Sequence, residues 1–83
     1  MTEASEEKIE VIAYSGYRGE EIPRIILDHG KRIEVIEILS QWIEEQPENR
    51  ERKRLFKIRG NDAALRMIYY DEKLREWFHV SND

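Results

Sequence analysis

Six cations lie within ten residues in the second half of the chain, and they could neutralise phosphates. Only one acid, Glu51, interrupts this run, whose basic members are Arg50, Arg52, Lys53, Arg54, Lys57 and Arg59. A basic strip of this kind is the usual electrostatic footprint for a phosphate backbone. It is equally typical of a solvated strand face that pairs with acids of a neighbouring strand.

The strip is predicted to form a strand, and its alternation decides which side chains face solvent. Lys53, Lys57 and Arg59 should share one face with Leu55, while the core face takes Phe56 and Ile58. The acids Glu34 and Glu37 of the preceding strand are candidates to pair with the cations. We favour that pairing over phosphate binding, because the isoelectric point of the whole chain is near 5.2.

A second cluster combines aromatic and basic side chains in one loop. Tyr17 and Arg18 lie between Gly16 and Gly19, after Tyr14. Such a loop could stack a base and contact its phosphate. A structural corner that covers one end of the fold explains the same residues, and we favour this interpretation.

The residue types that usually carry catalysis or bind metals are sparse. Cysteine is absent, which excludes disulfides, thiol nucleophiles and Cys-ligated zinc. The two histidines, His29 and His79, have no evident third ligand in the sequence. Ser15 and Ser40 lack the context of a nucleophile elbow. We therefore predict no enzyme activity, no catalytic residues, no cofactor and no metal.

The elements that position these residues read as short strands joined by turns. Asp28-His29-Gly30-Lys31 separates two apolar runs, which is a strong hairpin signal. Strands joined by turns this short must be antiparallel neighbours. We predict strands over residues 8–15, 22–28, 31–39, 53–59, 63–70 and 75–80. The fold class is all-β, an antiparallel meander of five or six strands that curls into a small barrel or roll.

The third strand has an alternative. Its apolar residues change parity at Ile36 and Ile38, which a β-bulge near Val35–Ile36 would absorb. A helix over residues 34–46 would also place its apolar residues on one face. Crowded β-branched residues and the missing N-cap favour the strand. A helical turn over residues 40–45 is left open.

Alternation also predicts which residues form the core and on which face of the sheet each aromatic ring lies. The buried set should contain Ile9, Val11, Ile26, Ile33, Val35, Phe56, Ile58 and Trp77. The adjacent pairs Tyr69-Tyr70 and Trp77-Phe78 must each send one ring to either face of the sheet.

Length and charge bound the remaining properties. The 83 residues suit one domain, which we place at 8–80, behind a disordered tail at 1–7. Residues 1–49 hold 12 acids and 5 bases, a net charge of −7, whereas residues 50–83 carry +3. Strand interleaving should bring these unequal halves together. The polar N-terminus, the lack of a long apolar run and the absence of cysteine predict a cytoplasmic protein without membrane contact.

Three groups of residues resemble a family of short bacterial proteins of unknown function. The first is Tyr14-x-Gly16-Tyr17-Arg18 followed by Glu20, Glu21 and Pro23. The second comprises Gly30, Glu34, Val35, Glu37, Leu39 and Trp42. The third comprises Phe56, Lys57, Ile58, Arg59, Asp71 and Trp77. The resemblance covers residues 9–77 and implies an all-β fold. It implies no activity.

The sequence therefore predicts a small non-catalytic interaction module that binds a protein or self-associates. The alternative is a β domain that binds single-stranded nucleic acid. Its candidate binding surface comprises Tyr17, Arg18, Arg50, Arg52, Lys53, Arg54, Lys57 and Arg59.

Overall fold

The computed structural model describes residues 4–15, 21–48 and 51–82, and its regular structure is all β. The strands are β1 (Ala4–Ser15), β2 (Glu21–Asp28), β3 (Lys31–Gln46), β4 (Glu51–Gly60), β5 (Leu65–Asp71) and β6 (Glu76–Asn82). Each pairs antiparallel with the next, and β6 returns to β1, which closes a barrel. The predicted antiparallel meander is confirmed. Within the described ranges, no helix is long and apolar enough to cross a membrane.

Strand β1 begins earlier than the sequence pattern indicated. Residues 4–7, predicted to belong to a disordered tail, instead pair with β6 from Asn82 to His79. Glu6 and Glu7 are exposed, so this stretch has no apolar alternation to reveal it. Its pairing rests on backbone hydrogen bonds to a strand distant in sequence. Residues 1–3 lie outside the described part of the chain.

Strand β3 is continuous to Gln46, so the helical alternative over 34–46 and the helical turn at 40–45 are wrong. From Val35 onward the strand pairs with β4, which satisfies the backbone that a helix would have bonded internally. The pairing shifts register between Val35 and Glu37, where a bulge was predicted, and again between Ile38 and Ser40. These two irregularities explain the change of apolar parity.

Two bent strands divide the barrel into two sheets. The first part of β1 pairs with β6 through Ile9, and the rest pairs with β2 from Glu10 onward. Likewise β3 pairs with β2 through Glu34 and then with β4. In β3 the change of sheet lies beside the bulge between Val35 and Glu37, and bulges locally bend a strand and increase its twist. After β3 leaves β2, its edge away from β4 pairs with none of the described strands.

The core lies between the sheets and follows the predicted alternation closely. It contains Ile9, Ile26, Ile33, Phe56, Ile58, Ile68 and Trp77. Val11 and Val35 were also expected to be buried, but they are only partly covered and pack at its margin. The Phe56 and Trp77 rings lie 5.7 Å apart between centroids, so aromatic contact joins β4 to β6.

A smaller apolar cluster covers the other face of the β4–β6 sheet. Leu55 and Tyr69 are buried there as cross-strand neighbours, and Tyr69 stacks on Phe78 at 5.0 Å. The Tyr69 hydroxyl donates a hydrogen bond to Glu6 Oε2 at 2.8 Å. Burial and this bond raise the pKa of Tyr69 well above its ordinary range. The face predicted to present Leu55 to solvent is therefore partly a second core.

Candidate functional site

The predicted binding residues divide into two groups. Tyr17, Arg18 and Arg50 lie outside the described residues. The remaining five are all on β4, and they are Arg52, Lys53, Arg54, Lys57 and Arg59. Their partners decide whether the strip can act as one cationic surface.

Arg52 and Arg54 converge on one carboxylate in the turn after β5. Arg54 Nε donates to Glu72 Oε2 at 2.9 Å, and Arg52 Nε lies 3.4 Å from the same oxygen. Arg52 Nε also lies 3.7 Å from Glu45 Oε1. Both arginines are partly buried. Their charge is thus directed toward acids of the protein.

The other three cations lie on the opposite face of β4, and two of them contact a neighbouring side chain. Lys53 Nζ sits 4.9 Å from the centroid of the Tyr69 ring, a cation–π contact. Arg59 Nε lies 3.8 Å from Glu37 Oε1, which confirms the predicted pairing with that acid. Lys57 is exposed.

Glu34, the other acid proposed to pair with the strip, faces a different neighbour. It lies opposite Ile25 of β2, and its backbone contacts Asn61 of the β4–β5 turn. The first bulge separates Glu34 from the β4 ladder, so among the described residues Glu34 does not lie opposite a cation of the basic strip. The acidic and basic halves of the sequence still meet, because β3 pairs with β4 along most of its length.

A more prominent feature is an edge of β3 that sequence reasoning did not identify. β2 and β3 pair from Asp28–Lys31 to Ile25–Glu34 and then diverge. β3 continues beside β4, while β2 continues beside β1. Among the described strands, none pairs with the edge of β3 that faces away from β4 at residues 40–45. We call this edge, Ser40–Glu45, the open edge.

Apolar side chains are unusually exposed along this part of β3. Ile36 is 60% exposed, Leu39 39%, Trp42 36% and Ile43 46%. Ile36 and Leu39 fall at the two bulges, outside the regular pairing with β4. Trp42 and Ile43 lie on the regular stretch and point to opposite faces of the sheet. Unpaired backbone groups and exposed apolar side chains therefore coincide at the open edge.

A cleft of about 310 Å³ lies where β2 and β3 separate. Its walls are Glu21 and Ile22 of β2, Gln41, Trp42 and Ile43 of β3, and Arg54, Leu55 and Phe56 of β4. This volume is at the lower end of small-molecule pockets. Because the cleft borders the open edge, a side chain of an extended segment paired with β3 could enter it.

The open edge is acidic as well as apolar. Glu44 and Glu45 are exposed at its end, and Glu37 precedes it. No lysine or arginine occurs on β3 after Arg32. The arrangement therefore offers backbone hydrogen bonds, two apolar side chains and two carboxylates to an extended segment.

A separate polar cluster links β1 to the β2–β3 turn. His29 Nε2 lies 2.8 Å from Glu7 Oε1 and 3.5 Å from Asp28 Oδ1. One ligand atom from each of the three residues falls within 4.8 Å of the others, so they could contact a cation. Glu7 is the third group that the sequence did not reveal. The set falls short of the four ligands of a structural zinc site, and His29 is 73% exposed.

The signal for the open edge was present in the sequence only indirectly. β3 has 16 residues and β2 has 8, so β2 cannot cover the whole of its neighbour. That mismatch becomes visible only when β3 is known to continue past Leu39 as a strand.

The chain matches no protein-family model, no curated protein and no solved structure.

Proposed function

We propose that this protein is a small non-catalytic interaction module that binds a partner protein through the open edge of β3. The observation that carries the proposal is the coincidence of unpaired strand backbone with exposed Trp42 and Ile43. Strand edges are templates for pairing with another chain, and proteins usually blunt or cover them. An extended peptide that adds to such an edge gains main-chain hydrogen bonds and side-chain contacts together.

The bulges support this location. They interrupt the regular pairing of β3 near Ile36 and Leu39, and irregular strands are poor templates for β-pairing. Beyond Ser40 the register with β4 is unbroken to the end of the strand. The regular stretch is therefore the part of β3 best suited to accept another strand.

Binding of single-stranded nucleic acid is the less favoured alternative. Arg52 and Arg54 are directed at Glu72, and Arg59 at Glu37. A phosphate backbone would have to compete with these carboxylates, and the acids of β3 would repel it. Base stacking would have to come from aromatic side chains other than Tyr69, which is buried.

The test is affinity capture from a native cell extract, with and without nuclease treatment. The tagged chain is compared with Ile43→Lys, which places a charge on the open edge at a side chain that is 46% exposed. Leu74→Lys is the matched control, because Leu74 is 56% exposed in the β5–β6 turn. Thermal melts should show that both variants fold.

We expect a protein that is retained after nuclease, lost with Ile43→Lys and kept with Leu74→Lys. A partner released by nuclease would favour the nucleic-acid alternative. A partner that binds Ile43→Lys as well as the parent would exclude the open edge as the binding site.

A further inference from the structure

Strand β4 shows which side chains complement β3. In the paired hairpin Leu55 lies opposite Trp42, Arg54 opposite Ile43, Lys53 opposite Glu44 and Arg52 opposite Glu45. The series on β4 is thus three cations followed by an apolar residue. The contact of 3.7 Å between Arg52 and Glu45 is one direct result of this order.

The side chains of β3 stand above and below the sheet, so each can contact a neighbour on either side. Glu44 and Glu45 remain exposed although β4 lies beside them. A strand on the open edge would meet the same alternation of Trp42, Ile43 and two carboxylates that β4 meets on the other edge. The residue types that β4 places opposite this stretch of β3 therefore indicate the residue types that a strand on the open edge would need.

From this we infer that the partner contributes an extended cationic segment that resembles β4, with an apolar residue opposite Trp42 and lysine or arginine opposite Ile43, Glu44 and Glu45. This inference rests on the proposed function and specifies its partner chemically. The segment would run antiparallel to β3, and one of its apolar side chains would enter the cleft beside Ile22 and Phe56. An acidic segment would place like charges opposite Glu44 and Glu45, which is unfavourable.

The test uses a fluorescent peptide with the sequence of residues 51–58, Glu-Arg-Lys-Arg-Leu-Phe-Lys-Ile. Fluorescence anisotropy measures its binding to the full chain at low and physiological salt. Three further probes are a scrambled peptide, a peptide with glutamate in place of every cation, and a single-stranded uridine oligomer. A last probe is the first peptide with alternate backbone amides N-methylated. These amides can no longer donate the hydrogen bonds that strand pairing requires.

We expect the β4-like peptide to bind more tightly than the other probes and to weaken as salt rises. The double variant Glu44→Gln/Glu45→Gln should weaken it by about 2- to 30-fold, the range expected for two cross-strand ion pairs. Glu48→Gln is the matched control at an exposed acid after the strand, and it should leave the affinity unchanged. N-methylation should abolish binding.

Equal binding of the acidic peptide would overturn the cationic assignment, and equal binding of the scrambled peptide, which keeps the same charge, would overturn the β4-like order of residues. Preference for the uridine oligomer would also overturn the cationic assignment, and so would a β4-like peptide that does not bind. Any of these results would leave the proposed function standing if capture of the partner from the extract still depends on Ile43. Loss of that dependence would instead reject the open edge itself.

Discussion

At the scale of single residues, the turn between β4 and β5 is held by one carboxylate. Asp62 accepts two hydrogen bonds from the Arg66 guanidinium, at 3.0 and 2.7 Å. It also accepts the backbone N–H of Ala64 at 3.1 Å. The bonds to Arg66, followed by the bond to Ala64, hold the pKa of Asp62 well below its ordinary value. Arg66 and Asp62 are separated by four residues, so the contact is local.

This shift predicts how acid should affect the protein. A carboxyl whose pKa is lower in the folded than in the unfolded state stabilises the fold above its unfolded pKa, about 3.9, and loses that contribution as pH falls through the folded-state pKa. Asp62→Asn should therefore lower stability at pH 7 and reduce its dependence on pH below 4. Urea denaturation between pH 2 and 7 measures both effects.

The control is Arg66→Gln, which removes the main cause of the shift. The Asp62 carboxyl, followed by NMR, should then titrate nearer to its ordinary pKa. An Asp62 that titrates ordinarily in the parent protein would contradict this account of the turn.

At the scale of elements, the β2–β3 hairpin shows how turn chemistry sets register. His29 and Gly30 have φ values of 51° and 77°, and Asp28 pairs with Lys31 across them. Two central residues with positive φ are what a type I′ turn requires, and its twist matches that of the flanking strands. Glycine adopts positive φ at little steric cost, which suits Gly30 to this position. A Cβ placed on Gly30 would meet no atom within 4 Å, so any penalty there is conformational.

Gly30→Val should therefore destabilise the protein by more than ~1 kcal/mol, because a β-branched residue resists positive φ. His29→Asn is the matched control, since asparagine adopts this conformation readily and is favoured in such turns. It should be neutral or slightly stabilising. Thermal melts compare the two variants, and a Gly30→Val midpoint equal to that of the parent would be incompatible with the turn.

At the scale of the whole molecule, stability depends on a core shared by both sheets. Ile26 and Ile33 come from the sheet of β1–β3, while Phe56, Ile58 and Ile68 come from the sheet of β3–β6. Phe56 is 3% exposed. It also forms part of the cleft wall, which links the core to the candidate binding site.

Phe56→Ala should cost about 3–5 kcal/mol, the usual loss for a buried aromatic residue. Domains are stabilised by only about 5–15 kcal/mol in total, so this variant will be close to unfolding. Ile58→Val provides a milder test, with an expected cost of about 0.5–1.5 kcal/mol. Leu65→Ala, at a side chain that is 52% exposed, is the control. Urea denaturation ranks the three, and a Leu65→Ala cost as large as that of Phe56→Ala would refute the core assignment.

The charges of Arg52, Arg54 and Glu72 also contribute to the stability of the whole molecule. Replacing Arg52 and Arg54 together by glutamine should destabilise the protein by about 1–3 kcal/mol, because Glu72 loses the charged hydrogen bond from Arg54 and the nearby charge of Arg52. It should not change the affinity for single-stranded RNA. Urea denaturation and filter binding at two salt concentrations measure these effects.

Lys57→Gln is the control, at an exposed cation, and it should leave stability unchanged. A micromolar complex with RNA in the parent, whose salt dependence falls in the double variant, would restore the nucleic-acid alternative.

Features that depend on neighbours along the chain could be predicted from the order of the residues. Alternating apolar residues predicted the strands, the short turns made them antiparallel, and Gly30 marked the hairpin. The parity change in β3 indicated its first bulge. These features are local, because strand alternation and turn conformation are properties of a few consecutive residues.

Features that depend on partners distant in sequence emerged only in the folded chain. Residues 4–7 joined β1 because β6 supplies their hydrogen bonds, and Glu72 met Arg52 and Arg54 across a turn. The open edge exists because β2 and β3 diverge after Ile25–Glu34, each toward a different neighbour. No run of residues encodes that divergence, since it arises from the requirement that two bent strands belong to both sheets.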